Sequence, residues 1–272
     1  MSRKREIEGR LALYGDLKGI VAAMRSFALV ELRRVSRREM AQSLAKGVVE
    51  AALGDLRSVL PRAAPVPGDI WLLFGSVRGF CGSFNEDVLR AWQDHHGPTP
   101  MIACGERLVS LLSEGREISA VAGANGALDA ATTIDRILAE IDTVRVGAGR
   151  ELGLMAVIHD DAGLTIQRLL PLPEPLNGRR AELPLTYEPV QKVAGEVVGH
   201  YLFHALMAML LRSIRIENHT RLMQMENALT HLQEGEEDLS RQRNRLRQEE
   251  IVEEIELIAG GADPGSFGSN TL

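Results

Sequence analysis

The sequence predicts an α/β protein in which two very long terminal helices pair into a rod and the residues between them fold as a separate head. Proline placement is the first of three observations behind this: residues 1–60 and 190–263 contain none, whereas ten of the eleven prolines lie between Pro61 and Pro189. An interior proline removes a helical donor and clashes with the preceding turn, so the map leaves room for long uninterrupted helices at the two ends. The second is spacing. Ile7, Leu11, Tyr14, Leu17, Val21, Met24, Ala28, Leu32 and Val35 step by three or four, close to the heptad average of a coiled-coil seam. The third is the middle of the chain, where short apolar runs alternate with helical patterns, the mark of a mainly parallel sheet.

Taken in order, the amino-terminal helix carries Gly9, Gly15 and Gly19, each weakening a helix by roughly 1 kcal/mol against alanine. Its first turns are therefore expected to be interrupted or to need a partner. Residues 1–46 hold eleven Lys or Arg against five acids, a face that either pairs with acidic helices elsewhere or docks a partner. In the middle, Asp69–Gly75 reads as a buried strand, Asn85–His96 as a helix and Pro100–Gly105 as a second strand. Helices over 106–115 and Ala127–Ile141 follow, then two strands flanking Asp160-Asp161-Ala162-Gly163, a hairpin signal. Near the carboxyl end Leu202, Leu206, Met209, Ile216 and Met223 continue the helical spacing, with Ser213 and Thr220 at intermediate seam positions. One helix over 196–258 would be about 95 Å long, too long for a compact domain, so part of it is expected to project. Gln233–Glu254 has almost no apolar seam and reads as a solvated shaft, a shaft inside a ring or a charged tail. Gly260, Gly261 and Pro264 then form a stop. The expected domains are a coil helix over 1–60, an α/β head over 68–189, a second coil helix over 190–260 and a disordered tail over 261–272.

Composition narrows the function classes. Two cysteines, Cys81 and Cys104, are too few for a disulfide framework and fit thiols in a reducing compartment. The first residues lack a secretory h-region, and the longest greasy stretch, Tyr201–Leu211, includes His204 and falls well short of a span, so a cytoplasmic chain with no membrane crossing is expected. A net charge of -6 argues against a nucleic-acid partner.

Candidate sites are few. The loop Gly75–Ser83 (GSVRGFCGS) sits where a phosphate loop would sit, yet it has neither G-x-G-x-x-G nor a Gly-Lys-Ser/Thr ending; a tight structural turn is the expected role, nucleotide binding the alternative. Cys81 has no histidine near it in sequence and reads as a packed thiol. His200 and His204 share a helical face but lack the glutamate of H-E-x-x-H and a third ligand, so an interface role is expected rather than a metal. His95 and His96 read as C-terminal capping charge. No nucleophile–base constellation can be assigned, and neither a cofactor nor a metal is expected.

Glu217–Ala228 (ENHTRLMQMENA) and Leu239–Ala262 (LSRQRNRLRQEEIVEEIELIAGGA) resemble the carboxyl-terminal helix of the gamma subunit of F-type ATP synthases. The matching positions are Arg221, Met225, Asn227 and Ala228, then Asn244, Arg247, Gln248, Ile251, Glu254, Ile258, Gly260 and Gly261. Arg78, Gly79, Cys81, Gly82 and Asn85 match the family's Arg-Gly-x-Cys-Gly loop, Ala22–Arg34 its amino-terminal helix, and Leu169–Pro173 the end of its sheet domain. The resemblance implies an antiparallel coiled coil of the two termini with a Rossmann-like head. It also implies a non-catalytic rotor inside a hexamer of alpha and beta subunits, seated on a c-ring with epsilon and peripheral to the cytoplasmic face of the bacterial plasma membrane. By position Asn244, Arg247 and Gln248 would meet the beta-subunit catch region, with Met24 and Arg25 on the opposing helix. Gly235, Glu236, Arg241, Gln242 and Arg243 stand where the family usually has apolar or aromatic residues, and Val252 where it has a hydroxyl. These departures suggest a divergent branch, sodium-translocating or accessory. A nucleotide-dependent Rossmann-like enzyme and an unrelated coiled-coil scaffold are the competing readings.

Overall fold

A computed structural model describes residues 3–60, 66–95, 100–112, 118–173 and 183–260. The chain divides into two compact units, one formed by Met1–Arg25 with Met225–Leu272 and the other by Ser26–Gln224. Two helices run through both: α1 (Arg3–Asp55) and α5 (Val190–Gly260). Of the two outcomes expected at Gly9, Gly15 and Gly19, interruption or a holding partner, the second is found: α1 is continuous, and contacts with α5 hold the turns that propensity alone would weaken.

In the first unit the seam is mixed rather than apolar. Ile7 is buried and Leu11, Tyr14, Val21 and Met24 are half-buried as expected, but Leu17 is exposed and Lys18 takes its place. The Lys18 ammonium lies 2.6 Å from Glu236 and 2.5 Å from Gln233, while Lys4 meets Glu250 at 2.7 Å and Arg25 meets Glu226 at 3.1 Å. Charge complementarity thus joins α5 to α1 along a stretch with little apolar seam, where Leu239 is the buried apolar anchor. Gly235 is a fitted position: a Cβ there would lie 2.4 Å from Tyr14 Cε1. Gly235→Ala is therefore expected to gain the usual helix-propensity benefit of about 1 kcal/mol only in a Tyr14→Ala background. A double-mutant cycle by thermal denaturation checks this, and equal effects in both backgrounds would refute the fit.

The second unit holds a five-stranded sheet of order β3-β2-β1-β4-β5. Its strands are β1 (Asp69–Phe74), β2 (Met101–Cys104), β3 (Ile118–Val121), β4 (Gly153–Asp160) and β5 (Gly163–Leu170). All pairings are parallel except β4 with β5, the predicted hairpin, in which Asp160 pairs with Gly163. The short β3 was not predicted; its four residues are mostly half-exposed and offer little apolar signal. Helices α2 (Phe84–His95), α3 (Glu106–Leu111) and α4 (Ala130–Ala148) complete the head, α4 running one to two turns past its expected end to Gly149, which has the left-handed φ of 59°.

Strand alternation splits the core between the two sheet faces. Ile70, Leu72 and Phe74 of β1 point to α4 and α5, against Ile134, Ile137, Tyr201, Ala205 and Leu206. Trp71 and Leu73 point the other way, against Val88, Trp92 and Leu108. Each such side chain contributes about 1.5–3 kcal/mol of burial. α5 contains an 18-residue window of mean hydropathy 1.4, and 56% of that window is buried inside the protein, so its apolar face serves the core. α1 grips the head at Ala127: Glu31 accepts from its amide at 2.8 Å, and Arg38 donates to its carbonyl. His96 and the tail over 261–272 lie outside the described residues.

Candidate functional site

The loop between β1 and α2 is organised by buried polar groups. The Ser76 amide donates to Asn85 Oδ1 at 2.9 Å, Asn85 Nδ2 donates to Ser76 Oγ at 2.9 Å, and Ser76 Oγ donates to the Arg78 carbonyl at 3.0 Å. Cys81 is buried, with Sγ 3.4 Å from Ser76 Oγ, and burial pushes its thiol up from the ordinary value. Cys104, inside the sheet, is pushed up to about 12 by burial. Both are packed thiols with the proton held, not nucleophiles.

Arg221 of α5 closes this loop. Its Nε donates to the Gly79 carbonyl at 3.1 Å, Nη2 to the Arg78 carbonyl at 3.3 Å, and Nη1 to Asn218 Oδ1 at 2.9 Å; Nη2 also pairs with Glu217. Glu217, Asn218 and Arg221 are all buried. Burial raises the Glu217 carboxyl above the ordinary range, and attraction to Arg221 and hydrogen bonds from Arg221 and Arg78 offset part of that. A phosphate loop presents free amides to its ligand. Here the Ser76 amide is taken by Asn85 and the Arg78 and Gly79 carbonyls accept from Arg221, contacts that tie the loop to α2 and α5. Gly82, at φ 61°, passes close to Thr220 and Gln224, and Phe80 is left exposed at φ 62°.

The remaining candidates separate. Asn244, Arg247 and Gln248 are exposed and, among the described residues, make no side-chain hydrogen bond or ion pair. Met24 is half-buried in the seam and Arg25 pairs with Glu226. Because Lys4 meets Glu250 and Arg25 meets Glu226, Arg247 stands opposite the first turns of α1. The Met24–Arg25 level is some five turns away, about 27 Å at 1.5 Å per residue. His204 Nδ1 lies 2.7 Å from Gln42 Nε2 on α1, which also donates to the His204 carbonyl at 3.2 Å, whereas His200 is exposed. His95 sits at the end of α2 with Nδ1 2.9 Å from the Ala91 carbonyl.

Sequence reasoning missed two clusters. Arg221 was singled out as a matching residue without its partners, although the Glu217–Arg221 spacing of four puts both on one helical face. Glu39, Arg212, Arg215, Asp160 and Asp161 form a second network across three distant segments, for which no local signal exists.

Two long helices seamed by heptad and ionic contacts, with an α/β head anchored through α5, define a stalk-type subunit. A family model described as ATP synthase matches residues 3–264. The chain is 25% identical to the ATP synthase gamma chain of Salinibacter ruber, over 97% of this chain and 98% of the relative. It is 27% identical to that of Chloroflexus aurantiacus, over 96% and 98%. Its fold is similar to a chain of the Euglena gracilis mitochondrial ATP synthase solved with OSCP, F1 and c-ring (TM-score 0.65, 18% identity, 99% of each chain). It is also similar to one of the Tetrahymena thermophila central stalk and c-ring (TM-score 0.57, 17% identity, 77% of this chain and 99% of that one). The chain belongs to the ATP synthase gamma-chain family, the non-catalytic rotor subunits of F-type ATP synthase.

Proposed function

We propose that this chain is the central shaft that couples ion translocation to ATP synthesis or hydrolysis at beta subunits. In this reading it turns inside an alpha–beta hexamer, rests on a c-ring with epsilon, and lies peripherally at the cytoplasmic face of a bacterial plasma membrane. Family membership over nearly the whole chain is the observation that carries it. The physics agrees: a shaft must resist twisting, and the helix pair combines apolar seam residues with ion pairs at three levels, Lys4–Glu250, Lys18–Glu236 and Arg25–Glu226. It must also act on a neighbour through groups it does not consume itself. Arg247 and Gln248 are such groups, and a charge-assisted bond from Arg247 to a beta-subunit carboxylate would hold a rotary dwell.

Affinity capture of the chain should bring down alpha and beta subunits, each in excess over it. Their absence would leave the scaffold reading. Within the assembled complex Arg247→Ala is expected to lower coupled ATP turnover by about tenfold, the worth of one charge-assisted bond. Because Arg247 is exposed and makes no side-chain bond among the described residues, the melting temperature should not move. Unchanged turnover would remove that contact from the mechanism.

A further inference from the structure

We infer that Glu39 is the hub of an ionic latch that keys the β4–β5 hairpin of the head to both long helices, so that twist in the helix pair is carried into the sheet. The latch is a property of the chain; only its use in rotation rests on the rotor reading.

Five groups alternate in sign along it. Arg212 Nη1 lies 3.0 Å from Asp160 Oδ2 and its Nε 3.2 Å from Glu39 Oε1. Arg215 Nε lies 2.6 Å from Glu39 Oε2, and its Nη2 is 2.8 Å from both oxygens of Asp161. Each oxygen of one α1 carboxylate therefore takes one α5 arginine, and each arginine reaches on to one aspartate of the hairpin turn. Burial is graded along one arm, where the Glu39 side chain is 13% exposed, Arg215 20% and Asp161 69%; on the other arm Arg212 is 37% exposed and Asp160 26%. The centre is shielded from solvent and salt, and the outer end is wet.

The hairpin needs such a tie. β5 is an edge strand on which Leu169 alone is fully buried, and Leu164 and Ile166 beside the turn are only half-buried against the core, so apolar packing holds the turn from one face. On the other side the turn is held by His159, stacked on Phe84 with Nε2 2.8 Å from the Phe84 carbonyl. Apolar contact is non-directional and allows surfaces to slide, whereas two planar guanidinium forks sharing one carboxylate fix both distance and angle. Glu39 is thus a positioning residue for torque transfer.

Amide hydrogen exchange on the full chain tests the latch. With Glu39→Gln, amides from Ile158 to Thr165 should exchange about tenfold faster while those of α4 keep their rates. Asp161→Asn, which removes only the wet end, should change them less than about twofold. Arg215→Lys, which keeps the charge but loses the fork, should fall between and serves if Glu39→Gln does not fold. In the assembled complex Glu39→Gln should retain ATP hydrolysis and move fewer ions per ATP. Unchanged hairpin exchange in both Glu39→Gln and Arg215→Lys, or an Asp161→Asn effect equal to that of Glu39→Gln, overturns the hub. A loosened hairpin with an unchanged ion-to-ATP ratio overturns the torque role. Failure of the natural chain to capture alpha and beta subunits would instead reject the rotor reading, while the exchange result still decides the latch.

Discussion

Arg221→Met is expected to destabilise the protein by about 3–5 kcal/mol, the cost of leaving a buried charge without its partner. Glu217 would remain buried beside an apolar side chain, and the Arg78 and Gly79 carbonyls would lose their donors. Urea denaturation of the full chain measures it. Adding Glu217→Gln should restore roughly half of the loss, because it removes the stranded carboxylate but leaves the two carbonyls unpaired. A loss below about 1 kcal/mol for Arg221→Met would mean that α5 does not anchor the loop through this guanidinium. The same pair sets a pH dependence. Since the folded state raises the Glu217 carboxyl, mainly by burial, its protonated form is favoured on folding. The resulting stability is fully present below the unfolded value of about 4.3 and is lost as pH rises through the folded value. The stability of the natural protein minus that of Glu217→Gln should therefore fall from acid toward neutral pH. A difference that rises with pH would show that Arg221 outweighs burial.

Gly105→Ala is expected to cost about 3 kcal/mol or more, adding backbone strain to an overpacked contact. Gly105 lies at φ 118°, and a Cβ there would stand 2.7 Å from the Gly75 carbonyl oxygen and 2.9 Å from that of Ser76. These are backbone atoms at the ends of β1 and β2, where the Gly75 amide bonds the Cys104 carbonyl and the Gly105 amide the Val121 carbonyl, so they cannot swing aside. Gly149→Ala is the control. Its φ is also positive, at 59°, but nothing lies within 4 Å of the added carbon, and the strain alone should cost about 1 kcal/mol. Equal melting-temperature losses for the two variants would show that the crowding around Gly105 is immaterial.

Much of the frame was legible because its determinants are local. Proline absence marked α1 and α5, short bounded apolar runs marked β1, β2, β4 and β5, and Asp160–Gly163 marked the hairpin. The seam was misread where its buried face is polar. Spacing from Ile216 led to Met223, which is 45% exposed, while Glu217, Asn218, Arg221 and Met225 face inward. Hydrophobic periodicity follows apolar residues, and it fails where a helix turns its polar side to loop carbonyls or, as at Lys18, to acids on a neighbouring helix. Arg247 and Gln248 came from family resemblance; both are exposed, and the turnover of Arg247→Ala in the assembled complex tests the proposed contact.

The chain alone determined two long helices, a mainly parallel head between them and the family to which it belongs, because proline placement, periodicity and motif order are written residue by residue. Tertiary structure decided what joins these parts: Arg221 in the loop, Glu39 between two arginines, Lys18 in place of Leu17. Those contacts link segments up to 218 residues apart, and their energies depend on burial and angle, quantities that come into being only when the segments meet.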